Sequence, residues 1–518
     1  MLGTFRAVLL GTLAAAGLAA GTAQAETLRI AMNADIRSTD PGVNRDENTD
    51  TVVLHIVEGL VGYDEQGQPK PLLAEKIALS DDGRTYTFTL RDGVKFHNGA
   101  ALTAADVVAA WKRYMTPALK WRCLSQFDGS GQTRIESVEA ADPRTVVFHI
   151  SAPSALFLST MARPDCGGSG IYHADSLNAD GSWNKPIGTG PYALAEWKQG
   201  RYVELKRFDG YSALSGPADG YVGDKTPKVD TARFVIIPDP AAARAALLAG
   251  DIEIVSDVSA SDYKELQGNP AVTTASSPAM GISGLLLQTR DPLLKNPDLR
   301  LAIATALDIP ALVDAVSEGL AEPNNSIVPL ASPFYGAVEK RGFTHDPAKV
   351  KDLLAKAGYK GETIVMLANQ RYKSMYDTAV LAQAMLQAAG INVDLSVMEW
   401  GAQLDKYLSG DYQMQAFAYS ARLDPSLGFE AVSGDKDQQP RKVWDNADAR
   451  TLLEKSMITS DGAERQTLFD QLHALFIADV PMIVTHNGVE LAAFSSKVEG
   501  YRPWPAARPR LWMVGFKG

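Results

Sequence analysis

The chain has 518 residues, 21% charged and 46% apolar, which is an ordinary composition for a globular protein. Its formal charge of −11 argues against nucleic acid and anionic lipid as partners, since both repel an acidic surface. The length exceeds what one hydrophobic core usually holds, so two or more lobes are expected.

Residues 1–25 read as an export signal rather than as part of the fold. Arg6 precedes a run of Ala, Leu, Val and Gly, and Ala23-Gln24-Ala25 has the small-x-small spacing of a signal-peptidase site. A membrane anchor is the competing reading, but the apolar run is short and Gly-rich. No Cys lies just after the cleavage point, which argues against a lipid anchor. The expected mature chain starts at Glu26, is exported and is not embedded in the membrane.

Leu28 to Met32 reads as a first strand, and residues 33–38, Arg37 among them, as the loop leaving it. Tyr86, Phe88 and Leu90 alternate with Thr85, Thr87 and Thr89, the period of a half-buried strand. Arg91-Asp92-Gly93 has turn chemistry, so Val94-Lys95-Phe96 is expected to return as a hairpin partner. Thr103 with Asp106 makes a capping-box start for a helix whose Val107, Val108, Trp111, Tyr114 and Met115 form one apolar stripe. Cys123 and Cys166 are the two cysteines, and an oxidising compartment favours their disulfide over two buried thiols.

Further on, 146–150 and 203–206 read as strands, as do 234–238 and 251–254, the last two separated by a helix ending at Gly250. Strands are expected at 284–289, 362–367, 391–397 and 481–486, with helices at 346–354, 377–389 and 464–478. The alternation of strand and helix predicts α/β lobes.

No catalytic constellation can be assembled. The seven histidines are scattered and form no metal-binding spacing. There is no C-x-x-C, P-loop or G-x-S-x-G, and no cofactor is expected. Gly188, Gly190 and Ala193 satisfy a loose dinucleotide pattern, but Pro191 and the strand after it do not open a phosphate-binding helix.

Several sequence words occur in a familiar order. Glu58-Gly59-Leu60, then S-D-D-G-x-T-Y-T-F-x-L-R-x-G-V-K-F-H-x-G across 80–99, L-T-A-x-D-V at 102–107 and G-T-G-P-Y at 188–192 resemble the peptide/nickel-type solute-binding proteins of ABC importers, family 5. The resemblance implies a two-lobe α/β periplasmic-binding fold with an extra subdomain and two crossing segments. It divides the chain into lobe I (26–57, 187–280 and 487–518), a peripheral subdomain (58–186) and lobe II (281–486). Where the family usually carries Asn, this chain has Gln288.

The implied function is capture of a peptide or peptide-like, carboxylate-bearing solute for a membrane permease. The protein would be a monomer in the periplasm of a Gram-negative cell. Opines, glutathione-like compounds, oligosaccharides and metal chelates are other cargoes of the family, and a secreted hydrolase is the competing class. The Gln-Arg word maps a carboxylate grip onto Arg371, and Glu-Trp maps a side-chain wall onto Trp400. Tyr372 and Tyr419 are read as further wall, and the family places the Arg37 loop at the cleft. The acid that holds an α-amine in the family falls on Ala421, so either Asp424 takes that role from a shifted loop or the ligand lacks a free α-amine there. Arg422 beside the gap would favour a second acidic group, and Arg422 with Asp424 is expected to read the opposite end of the ligand.

Overall fold

The computed structural model describes residues 26–131, 133–370, 372–505 and 509–518. The expected signal segment and Arg371 lie outside the described residues. Among the described residues, no helix is long and apolar enough to cross a membrane.

A four-stranded antiparallel sheet forms the peripheral part, in the order Ala74–Leu79, Thr85–Leu90, Thr145–Ile150, Ile135–Asp142. Its central strand buries Tyr86, Phe88 and Leu90 and leaves the intervening threonines half-exposed, as the alternation requires. Helix Ala104–Tyr114 covers the sheet. Its start is closed by Asp106, which accepts from the Thr103 backbone N–H (2.9 Å) and hydroxyl (2.6 Å). Trp111 is fully buried and meets Tyr114, Trp121, Phe127 and Phe148 edge-on.

The expected hairpin return at Val94–Phe96 does not form. Thr85–Leu90 pairs instead with the strand before it and with Thr145–Ile150, so both of its edges are filled. Residues 94–102 make a loop held by single bonds, Leu102 N–H to Val94 and Phe96 N–H to Ala100. Cys123 and Cys166 are joined as a disulfide, with Cα atoms 5.4 Å apart.

Ten strands make the main sheet, which runs through both lobes. Tyr192–Lys198, Tyr202–Arg207, Thr231–Ile236, Thr27–Met32 and Ile254–Val255 lie on one side, and Met414–Tyr419, Ile364–Ala368 and Val393–Val397 on the other. Between them run two long antiparallel strands, Val272–Leu287 and Met482–Ser495, which carry the chain from lobe to lobe.

Sequence periodicity marked only short strands at 284–289 and 481–486. The interruption at Ser276-Ser277-Pro278 falls where the first long strand is partly exposed, and the register shifts between Pro278 and Ile282. The expected strand 251–254 shrinks to Ile254–Val255. Asp251 still closes the preceding helix through Ala246, and Glu253 turns to pair with Arg29.

The G-T-G-P-Y word is a packing device. A Cβ on Gly188 would lie 2.0 Å from the Ile56 carbonyl oxygen, and one on Gly190 would lie 2.5 Å from that of His55. Only glycine lets these two backbones approach so closely. The Gly190 carbonyl also accepts from His97 Nε2 (3.0 Å), which gives His97 a structural task. Gln288 likewise bonds within the lobe, donating to Gly410 O (2.8 Å) and accepting from Lys436 Nζ (2.6 Å).

At the seam between subdomain and first lobe, Glu58 is wholly buried against Lys225 (2.7 Å) and also accepts from Thr189 and Tyr211 (3.0 Å each). A buried ion pair needs such extra donors to offset its desolvation. His55 lies beside it, with Nδ1 2.7 Å from the Thr51 carbonyl and Nε2 accepting from Leu511 N–H (3.0 Å). Both bonds suit the neutral ring. Burial, with Lys225 nearby, pushes its pKa down to about 4 despite the Thr51 bond.

Two stability measurements check this account. Removing the disulfide by Cys123→Ser with Cys166→Ser should lower the unfolding free energy by about 2–4 kcal/mol, because the cross-link restricts a long loop in the unfolded chain. An unchanged urea midpoint would contradict it. The unfolded chain takes up the His55 proton below about pH 6.5, and the folded chain only below about 4. The contribution of neutral His55 is therefore complete above about pH 6.5 and falls by roughly 3 kcal/mol as the pH drops to about 4. His55→Gln should flatten that part of the stability profile; an unaltered profile would show that the ring is not the titrating group.

Candidate functional site

The chain returns several times to the ends of the main-sheet strands, where the lobes face each other. A cavity of about 740 Å³ opens there. One wall comes from Gly281, Ile282 and Ser283 of the first long strand and from residues 418–423, which end Met414–Tyr419 and begin the loop after it. The facing wall comes from the subdomain and first lobe through Arg45, Tyr63, Arg122, Arg163 and Asp165. A second cavity, of about 700 Å³, shares Asp46, Glu47 and Glu490 with the first and is also lined by Asn33 and Ala34. The Ala155 N–H donates to the Met457 carbonyl (2.8 Å), a contact between the subdomain and the second lobe.

Tyr419 and Arg422 line the larger cavity as expected side chains of the second lobe. The Tyr419 hydroxyl donates to that of Tyr407 (3.3 Å), and burial, then the Tyr407 hydroxyl, pushes its pKa well up, so it stays a neutral donor. Arg422 is half-buried. Its guanidinium donates to the carbonyls of Ser420 (3.1 Å) and Ala421 (3.2 Å).

Tyr372 and Trp400 stand one layer back. Their rings meet edge-on at 5.0 Å; Trp400 packs on Phe417 at 5.6 Å, and Phe417 on Tyr419 at 5.2 Å. This aromatic row connects the loop after Ile364–Ala368 to the cavity wall. Beneath it, Asn369 is buried, donates to Gln403 (2.8 Å) and accepts from Tyr372 N–H (3.0 Å), which fixes the loop's exit.

Two expected residues lie away from the cavities. Asp424 lines neither: one oxygen accepts from both Ser426 N–H (2.9 Å), capping helix Pro425–Val432, and Arg465 Nη2 (2.7 Å). Both side chains are nearly inaccessible, at 5% and 8% exposed, and Arg465 is further held over Phe334 and Phe469. That oxygen is committed to the interior of the second lobe. Arg37 has an exposed side chain and lines neither cavity. It enters the fold through its backbone, donating to Thr49 Oγ1 (2.9 Å).

The facing arginines were not singled out from the sequence. Arg163 grips Asp165 with two bonds (2.9 and 2.7 Å), and Arg45 is paired with buried Asp50. Burial works against ionised Asp165, but the charge and bonds of Arg163, with Arg122 and Arg45 behind it, bring its pKa to about 2. Arg122 and Asp165 each stand next to a cysteine of the disulfide, a sequence signal that could have placed them together.

Residues 68–440 match Bacterial extracellular solute-binding proteins, family 5 Middle. The chain belongs to this family. As a family 5 protein it is the solute-binding component of an ABC importer, not an enzyme, and acts outside the cytoplasmic membrane. It is 26% identical over 489 residues to the glutathione-binding protein GsiB of Pectobacterium atrosepticum, covering 92% of this chain and 91% of the relative. To the oligopeptide-binding protein AppA of Bacillus subtilis it is 28% identical over 471 residues, covering 86% and 83%. The crystal structure of the ABC transporter substrate-binding protein CtaP of Listeria monocytogenes superposes with a TM-score of 0.82 at 25% identity, over 95% of this chain and all of that one. Among these family 5 features, the interlobe cavity is where a solute can touch both lobes at once.

Asp424→Ala tests the corrected role. It should lower stability by about 3–5 kcal/mol, because Arg465 is left as a buried, unpaired charge. Denaturant unfolding measures this, and a loss under about 1 kcal/mol would return Asp424 to the list of ligand candidates.

Proposed function

We propose that the solute is a small peptide or a glutathione-like molecule with at least one free carboxylate, bound in the cavity between the lobes. The observation that carries this is the cavity itself, about 740 Å³ with an aromatic row behind one wall and arginines on both. That volume lies in the range of small-molecule sites, and guanidinium forks suit carboxylates. The names of GsiB and AppA support the same chemical class.

In this reading the lobes are 26–57, 187–280 and 487–518 on one side and 281–486 on the other, with 58–186 attached to the first. Solute contacts on both walls favour the closed arrangement by their differential affinity, and the closed form is delivered to the permease. The protein works as a monomer in the periplasm of a Gram-negative cell. Arg371 takes the ligand's carboxylate, as the Gln-Arg word implies, while Tyr372, Trp400 and Tyr419 supply the apolar side.

Calorimetry with glutathione and with di- to pentapeptides tests the proposal. Saturable binding of a member of this panel is expected. Arg371→Ala should weaken that binding by about 2–5 kcal/mol, and Arg371→Lys should restore only part, since a point charge lacks the fork. Unchanged affinity in Arg371→Ala would remove that residue from the site and leave the transport role standing. No binding across the panel would overturn the peptide-like reading.

A further inference from the structure

The two walls of the cavity bring like charges together. Arg122 and Arg163 come from the subdomain on either side of the disulfide, and Arg422 comes from the second lobe. Asp165 is the carboxylate of this group, and Arg163 already holds it in two bonds. Three guanidiniums against one carboxylate leave a net charge of about +2 at the mouth between the lobes. Among the described residues, neither Arg122 nor Arg422 is paired with a carboxylate.

The surroundings offset this charge only in part: Glu430 acts on Arg422 and Arg163 from a distance but is itself paired with Lys442 (2.8 Å). Arg45 is occupied by Asp50. Asp46, Glu47 and Glu490 border both cavities, whereas Arg122, Arg163 and Arg422 border only the larger one, so the acids lie toward the other end. Asp46 is in turn engaged as the cap of helix Glu47–Val53. Burial lowers the proton affinity of Arg422, and the charges of Arg163 and Arg122 lower it further against the opposing pull of Asp165 and Glu430. The lobe that closes over the cavity therefore carries a cation toward two others.

We propose that Arg122, Arg163 and Arg422 form an anion subsite across the lobes, which takes a second acidic group of the solute, a carboxylate in a dicarboxylic peptide-like ligand. The inference rests on the peptide-like reading of the cavity and adds the second charge to it. An anion between the walls offsets the mutual repulsion of the three guanidiniums and accepts from forks on both lobes, so it favours closure where a neutral group would not. The Cys123–Cys166 bridge serves this subsite, because it ties the backbone next to Arg122 to the backbone next to Asp165.

The test has two arms. In the first, glutarate and, as a one-charge control, acetate are titrated at constant ionic strength while thermal unfolding is followed. Wild type should show saturable stabilisation by glutarate and not by acetate. Arg122→Gln and Arg422→Gln should each weaken the glutarate response by at least about tenfold. Arg122 is exposed and unpaired with any described carboxylate, so its variant keeps the test decisive even if Arg422→Gln misfolds.

In the second arm, calorimetry compares the tripeptide Ala-Glu-Ala with Ala-Gln-Ala, and a preference for the acid should disappear in both variants. No saturable glutarate response in wild type, or one that survives both substitutions, overturns the subsite. Glutarate binding without binding of either peptide keeps the subsite and overturns the peptide reading. Peptide binding insensitive to both substitutions does the reverse.

Discussion

The antiparallel pairing of Val272–Leu287 with Met482–Ser495 is the constraint on which the rest of the structure depends. These two strands belong to both halves of the sheet, so the lobes share a ladder rather than a flexible linker. Every cavity-lining element is set relative to it: Gly281 to Ser283 lie on one strand, Gly488 and Glu490 on the other, and Met414–Tyr419 pairs directly alongside. The register shift near Pro278 falls between the lobes, where hydrogen bonds are fewest and a small change of angle is least costly.

Within that frame the site is an electrostatic object assembled from opposite sides. The second lobe supplies Arg422 and the aromatic row, and the subdomain supplies Arg122, Arg163 and Asp165. What separates a structural charge from a ligand-facing one here is whether the partners are already complete. Asp424 and Glu58 are each held by several donors in the interior, so they stabilise their lobes. Arg422 and Arg122 face the cavity with no carboxylate assigned to them among the described residues. Charged side chains serve two purposes, and burial with the partner count decides which.

The disulfide joins these themes. It closes a separation of 43 residues inside the subdomain and restricts the unfolded chain. It also holds two loops, each with charged residues beside its cysteine, at the cleft edge.

Local patterns were enough to read most of the elements. The Tyr86, Phe88 and Leu90 alternation, the Thr103–Asp106 cap and the helix and strand sequence of the second lobe are all set by spacing within a few residues, which the chain states directly. The family words did the same for the fold class and the transport role. Asp424 could not be assigned from spacing, because an Asp before Pro reads equally well as a ligand reader and as a helix cap, and its pairing with Arg465, 41 residues away, exists only in the fold. The length of the two crossing strands was hidden because each has a partly exposed stretch that shows no apolar period. For Arg122 and Arg163 the one local clue was the cysteine pair beside their segments. A charged cluster made by three separate segments has no spacing to recognise, and its meaning comes only from distances that folding creates.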